Sequence, residues 1–183
     1  MRKLVLNGTQ ISELKEKGAK TVKLVFKEMG TYLNEKIKIG SEFEIESDNN
    51  KVKAHSGTYY LLFLEEFNTV FLFYVDSTNK LRTVYSGDIG NAVSAIYKNI
   101  GNKSIVKILK SSNKKAYRVA KFRDEKCLEI KAFAYKNKSS QRVEQVYLSL
   151  FEAINYASKL YKENNKYSYR VITPKETELF RIG

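Results

Sequence analysis

Residues 59–75 read YYLLFLEEFNTVFLFYV, two apolar runs, 59–64 and 70–75, around the break Glu65, Glu66, Phe67 and Asn68. Short runs rich in aromatic and branched residues, bounded by polar breaks, spell strands rather than helices. Their close spacing predicts an antiparallel hairpin, 59–66 with 70–76, turning at Phe67 and Asn68. Neither run is long enough to span a bilayer, and the first thirty residues lack the apolar core of a signal peptide.

Working outward, the same logic predicts more strands. Ile37, Ile39, Phe43 and Ile45 alternate along 37–46, and residues 80–85 continue past the hairpin. Ahead of these, 3–6 reads as a strand, 9–17 as a short helix capped by Thr9, and 21–27 as a strand. Ile89, Ala92, Val93, Ile96, Tyr97 and Ile100 then keep a helical period between Ser86 and Gly101. Strands follow at 104–110, 115–122, 126–135 and 141–146. A second helix starts at Leu150, where Leu150, Ala153, Ile154, Ala157, Leu160 and Tyr161 keep the period and Ser149 with Glu152 forms a capping box; Asn164 and Asn165 end it. Strands at 167–172 and 178–182 close the chain.

The expected class is therefore α+β, antiparallel sheets with two main helices. Shifting the first helix by 61 residues lays it over the second and carries Phe71 to Tyr74 onto Ala132 to Tyr135, which suggests a duplicated unit of strands then helix. Three segments result: a strand-helix-strand start at 1–35, a β-rich unit at 36–101, and a second β-rich unit at 102–183.

Charge separates these segments. The chain carries +13, and residues 98–142 hold fourteen Lys and Arg against Asp124, Glu125 and Glu129 alone, so that this quarter carries +11. Such a density concentrates polyanions, which makes nucleic acid the first expected partner and an acidic protein or ribonucleoprotein the second. The alternative is a lysine-rich composition with solvated side chains. Cys127 is the only cysteine, so no disulfide framework exists, and the chain reads as a soluble cytoplasmic protein.

Alternation from a core face of Leu128, Ile130, Ala132 and Ala134 puts Cys127, Glu129, Lys131, Phe133 and Tyr135 on the opposite face. Lys107, Lys110, Lys114, Lys115, Tyr117, Arg118, Lys121 and Arg123 are the neighbouring candidates, and the last strands add Tyr169 and Arg170. Rings stack on unpaired bases while Lys and Arg take phosphates, so the mixture suits single-stranded DNA or RNA. The competing reading has Phe133 and Tyr135 covering another layer.

The order of strands and helix, with Tyr117-Arg-Val-Ala-Lys-Phe122 and Lys126-Cys-Leu-Glu-Ile-Lys131-Ala-Phe133 ahead of the Ser149 helix, resembles the single-stranded-DNA-binding modules of the Whirly proteins and of positive cofactor four. The resemblance covers about residues 36–164 by pattern, without a diagnostic motif, and the opening and closing strands depart from it. It implies nucleic-acid binding on the sheet by Lys121, Lys131, Phe133 and their neighbours, often in an oligomer.

Glu129-Ile-Lys131 also has the carboxylate and lysine spacing of metal-dependent nucleases, with Asp124 as the nearest upstream acid. His55 is the only histidine, which excludes a paired-histidine ribonuclease, and it reads as a loop residue. Gly87-Asp-Ile-Gly90 reads as a helix cap, and Glu42, Glu44 and Glu46 as a strand face that is solvated or meets a cation or basic protein. No phosphate loop, zinc spacing, nucleophile elbow or dinucleotide fingerprint is present, and no cofactor is implied.

Three functional readings stand. The first is a nucleic-acid-binding protein without catalytic activity, whose first half, balanced at thirteen basic and twelve acidic side chains over residues 1–91, serves dimerisation or a protein partner. The second is a phage or mobile-element inhibitor docking on a host complex such as a CRISPR effector with its guide RNA. The third is a nuclease built on Glu129 and Lys131.

Overall fold

Consecutive apolar positions leave the 59–75 hairpin no solvent-facing side, and the computed structural model builds a sheet around it. The structure describes residues 2–6, 42–47, 54–67, 69–88, 91, 95, 98–101 and 103–183. These form two units, one of residues 1–76 and 81–110 and one of residues 77–80 and 111–183. The class is α+β, with mostly antiparallel sheets and, among the described residues, one full helix.

In the first unit, β1 (Arg2–Leu6), β2 (Glu42–Ser47), β3 (Thr58–Leu64), β4 (Thr69–Val75), β5 (Leu81–Asp88) and β6 (Ser104–Ser111) form one sheet in the order β1-β2-β6-β3-β4-β5. β3 and β4 pair from Tyr59↔Tyr74 to Leu64↔Thr69 through a single 3-10 turn at Glu65–Phe67. β1 runs parallel to β2, whereas β2 with β6 and β4 with β5 are antiparallel. Tyr59, Leu61, Leu62, Phe63, Val70, Leu72 and Phe73 are buried together with Val106, Ile108 and Leu109 of β6. Tyr59 buries its ring and still satisfies its hydroxyl, which donates to the carbonyls of His55 at 2.8 Å and Asn99 at 3.0 Å. His55, expected in a loop, bridges Ile100 and stacks on Tyr74 at 4.2 Å.

The second unit contains β7 (Arg118–Arg123), β8 (Lys126–Lys131), β9 (Phe133–Lys136), β10 (Arg142–Gln145), α1 (Leu150–Glu163), β11 (Ser168–Ile172) and β12 (Glu178–Ile182). Its main sheet runs β12-β11-β7-β8, and β9 with β10 makes a separate ribbon. The capping box is present as read: Ser149 Oγ accepts from the Glu152 N–H, and Glu152 Oε2 accepts from the Ser149 N–H at 2.8 Å. Leu150, Ala153, Ile154, Ala157 and Leu160 form the buried stripe of α1. At the far end Asn79 donates to the Tyr161 hydroxyl at 3.0 Å, which ties 77–80 to the helix.

Five expectations need revision or lie outside the described residues. The helix at 9–17, the strand at 21–27 and most of the helix at 89–100 lie outside the described residues, although Ala95, Lys98 and Asn99 are helical. The strand expected over 126–135 is broken at Ala132 into β8 and β9, because the Ala132 carbonyl turns aside to accept from the Tyr156 hydroxyl at 2.8 Å. Charge grouped 104–110 with the basic second unit, but β6 is hydrogen-bonded into the first sheet between β2 and β3. Its alternate positions are apolar and buried, so its lysines only decorate a core strand.

The 61-residue offset has a topological counterpart. It carries β3 onto β7, β5 onto β10 and β6 onto β11, and in each unit the later strand lies beside the first, β6 next to β3 and β11 next to β7. β4 falls across β8 and β9, so the second copy differs by the break at Ala132.

Candidate nucleic-acid interface

Strand register decides which basic and aromatic side chains meet. Tyr169 pairs with Lys121, which pairs with Glu129; Val171 pairs with Val119, which pairs with Lys131. Directly opposed residues share a face, so these six lie on one side of the sheet with Phe180 and Ile182. α1 lies on that side, since Tyr156 is in electrostatic reach of Lys131, Glu129 and Tyr169. Valines and Phe180 under the helix are buried, whereas β8 is the sheet edge, where residues 126–129 are exposed and Ile130 and Lys131 half-buried.

This corrects the expected division of 127–135. Leu128, assigned to the core, is 45% exposed, and Ala132 and Ala134 are exposed as well. Glu129, Lys131 and Phe133 are on the helix side instead. Cys127 leaves their company, because a bulge between Lys121 and Phe122 makes it the partner of Phe122, and it is exposed. A single inserted residue flips every position beyond it, which strict alternation could not anticipate.

Along this side runs a strip of rings and cations. The Lys121 ammonium stands 3.9 Å from the Tyr167 ring centroid, and Arg123 lies 4.8 Å from it while donating to the Tyr167 hydroxyl at 2.8 Å. Lys131 donates to Glu129 at 2.9 Å, and that carboxylate raises its pKa. Phe133 meets Tyr156 edge-on at 5.0 Å and stacks with Tyr135, which is 39% exposed, at 6.3 Å. The structure thus joins Lys121, Arg123, Lys131, Phe133 and Tyr135. It adds Tyr156, from the flank of the helical stripe, and Tyr167, one residue ahead of β11. A tyrosine just outside an apolar stripe was the available signal for Tyr156.

Other expected members lie elsewhere. Arg118 and Arg170 are on the opposite face of the sheet, with Ala120 and Phe122. Arg170 is nearly buried over the Phe122 ring at 3.9 Å and pairs with Glu125 and Glu178; Arg118 pairs with Glu176 at 3.8 Å. Lys107 and Lys110 belong to the first unit, paired with Glu42 at 2.9 Å and Glu65 at 2.8 Å. Lys115 pairs with Glu152 at 3.3 Å, Lys114 is exposed, and half-buried Tyr117 exchanges backbone hydrogen bonds with Leu148. Burial raises the pKa of the Tyr117 hydroxyl.

For the nuclease reading, Glu129 and Lys131 form an ion pair, while Asp124 sits in the β7–β8 turn beyond the Arg123↔Lys126 pair. Among the described residues no group of three His, Cys, Asp or Glu is placed to hold a metal. Asp88 accepts from the Asn91 N–H at 3.1 Å, as a cap would. Among the described residues no helix is long and apolar enough to cross a membrane. Comparison with family models, curated proteins and solved structures gives no match.

Proposed function

We propose that the chain binds single-stranded nucleic acid along the helix-side strip of its second unit. The observation that carries this reading is the alternation of cation and ring in space: Arg123 and Lys121 on Tyr167, then Lys131, then Tyr156, Phe133 and Tyr135. Tyr135 is exposed and Phe133, Tyr156 and Tyr167 are half-buried; the accessible faces of such rings offer bases a sequence-tolerant platform worth about 1–3 kcal/mol each, and the cations beside them take phosphates. The strip crosses the β7–β8 hairpin, whose β8 strand is the open edge of the sheet, and unpaired bases can splay onto it there. The β9–β10 ribbon adds Lys136, Lys138 and Arg142 near Tyr135, and of these Arg142 is partly compensated by Glu144 at 3.1 Å.

The test is a titration of labelled single-stranded DNA, single-stranded RNA and duplex of equal length across salt concentrations. Preferential single-strand binding with a log-log salt slope of about −3 or steeper, equivalent to about four phosphates, supports the reading. Absence of binding to all three transfers the positive charge to a protein or ribonucleoprotein partner.

A further inference from the structure

The sheet face opposite α1 carries a second cationic cluster, with a different construction. Arg170 and Arg181 are cross-strand partners on β11 and β12 and converge on one carboxylate. Glu125 Oε1 accepts from Arg170 at 2.7 Å and from Arg181 at 2.9 Å, and Oε2 accepts from Arg181 at 3.3 Å. Glu178 supports both from the side, accepting from Arg181 at 2.9 Å and lying 3.4 Å from Arg170. The Arg170 side chain is only 8% exposed, lies over the Phe122 ring, and has a buried Nε–H with no acceptor.

Glu125 reaches this place at a conformational cost. Arg123 pairs with Lys126, so Asp124 and Glu125 alone make the hairpin turn, with φ of +47° and +63°. Such turns favour Asn-Gly, because a side chain in left-handed backbone is strained. The Glu125 side chain nevertheless remains 69% exposed, so only its carboxylate is engaged. An exposed side chain, held by a strained turn against two guanidiniums of which Arg170 is buried over a ring, is a replaceable occupant. Two planar guanidinium forks match the several oxygens of a tetrahedral anion better than the two of one carboxylate.

We infer that Arg170 and Arg181 form a phosphate-binding site whose resident occupant is the Glu125 carboxylate, displaced when a phosphate group enters. Displacement leaves two guanidiniums facing Glu178 alone, and the incoming anion restores the balance. The site is on the other face from the ring-and-cation strip and stands independently of it. Its ligand is a phosphate group, free or at a strand end.

Inorganic phosphate is titrated at constant ionic strength, followed by phosphorus NMR, into the full chain and into Glu125→Gly, which also relieves the positive φ. Glu125→Gln serves as the variant that keeps the side chain and loses its charge. Phosphate binds Glu125→Gly about tenfold tighter than wild type, the factor expected when an internal competitor holds a site nine-tenths of the time. The gain disappears in Glu125→Gly/Arg181→Gln. A 5′-phosphorylated oligonucleotide gaining the same factor over its unphosphorylated form assigns the site to strand ends; a gain for inorganic phosphate alone assigns it to the free ion. Equal phosphate affinity in wild type, Glu125→Gly and Glu125→Gln overturns the inference, as does a gain that survives Arg181→Gln. Oligonucleotide binding that is unchanged in strip variants, with the phosphate gain intact, separates failure of the proposed function from failure of this site.

Discussion

The β3–β4 and β7–β8 hairpins occupy corresponding places in their units and have opposite fates. In the first, Tyr59, Leu61, Leu62, Phe63, Val70, Leu72 and Phe73 are buried at nearly successive positions, so both faces are covered. In the second, only Val119 and Ala120 are buried, and every residue from Lys126 to Glu129 is exposed. A hairpin covered on both sides has no charge to spend on a ligand, since an unpaired buried charge is costly. A hairpin at an open edge can hold lysines, arginines and rings at their positions without that penalty. The comparison teaches that one hairpin supplies core and the other supplies surface, although each unit has a buried core of its own.

The sharpest way to break this contrast is truncation. Leu61→Ala is expected to destabilise the chain by about 2–5 kcal/mol, whereas Leu128→Ala on the exposed edge costs under about 0.5 kcal/mol. Urea unfolding checks both, and comparable losses would erase the distinction. Next in size, Lys131→Ala with Phe133→Ala weakens single-strand affinity by about tenfold to a hundredfold, from one stacking ring and one phosphate contact. Leu61→Ala protein that remains folded keeps wild-type affinity in the same anisotropy assay.

A smaller effect probes the helix that backs the strip. Ser149→Ala removes a cap worth about 1 kcal/mol, seen in thermal unfolding. Burial pushes the Glu152 carboxyl up, but hydrogen bonds from the Ser149 backbone and hydroxyl and from Lys115 outweigh it and hold its pKa below the usual carboxylate value. A depressed folded pKa gives stability that is full above the ordinary carboxylate pKa and lost as pH falls through the folded one. Wild type therefore loses more stability than Glu152→Ala on acidification through that range, measured by melting at matched ionic strength. Smallest of all, Lys121→Ala reduces the steepness of the log-log salt slope by about 0.7, the contribution of one single-strand phosphate.

How much was legible follows from which forces are local. The 59–75 hairpin showed in its apolar runs, and α1 showed in its period, its Ser149–Glu152 box and its Asn164 stop, all set by neighbours in sequence. The bulge beside Leu128 and the break at Ala132 depend on a partner strand and on Tyr156, far along the chain, so no local pattern announced them. Lys107 and Lys110 misled because charge was read as a property of a segment; β6 is a core strand whose ammonium groups reach carboxylates at its margin. Lys121, Lys131 and Phe133 share a face, but it is the helix side of the sheet, because period-2 alternation gives neighbours on a face without saying which face is covered.

The central claim is that the open edge of the second unit, and not the covered hairpin of the first, meets nucleic acid. Photocrosslinking of a thiothymidine-containing single strand, followed by peptide mapping, tests it most directly. Crosslinks concentrated on Phe133, Tyr135, Tyr156 and Tyr167 are the predicted result. Crosslinks confined to residues 1–110, or none under conditions where the strand is bound, would contradict the account.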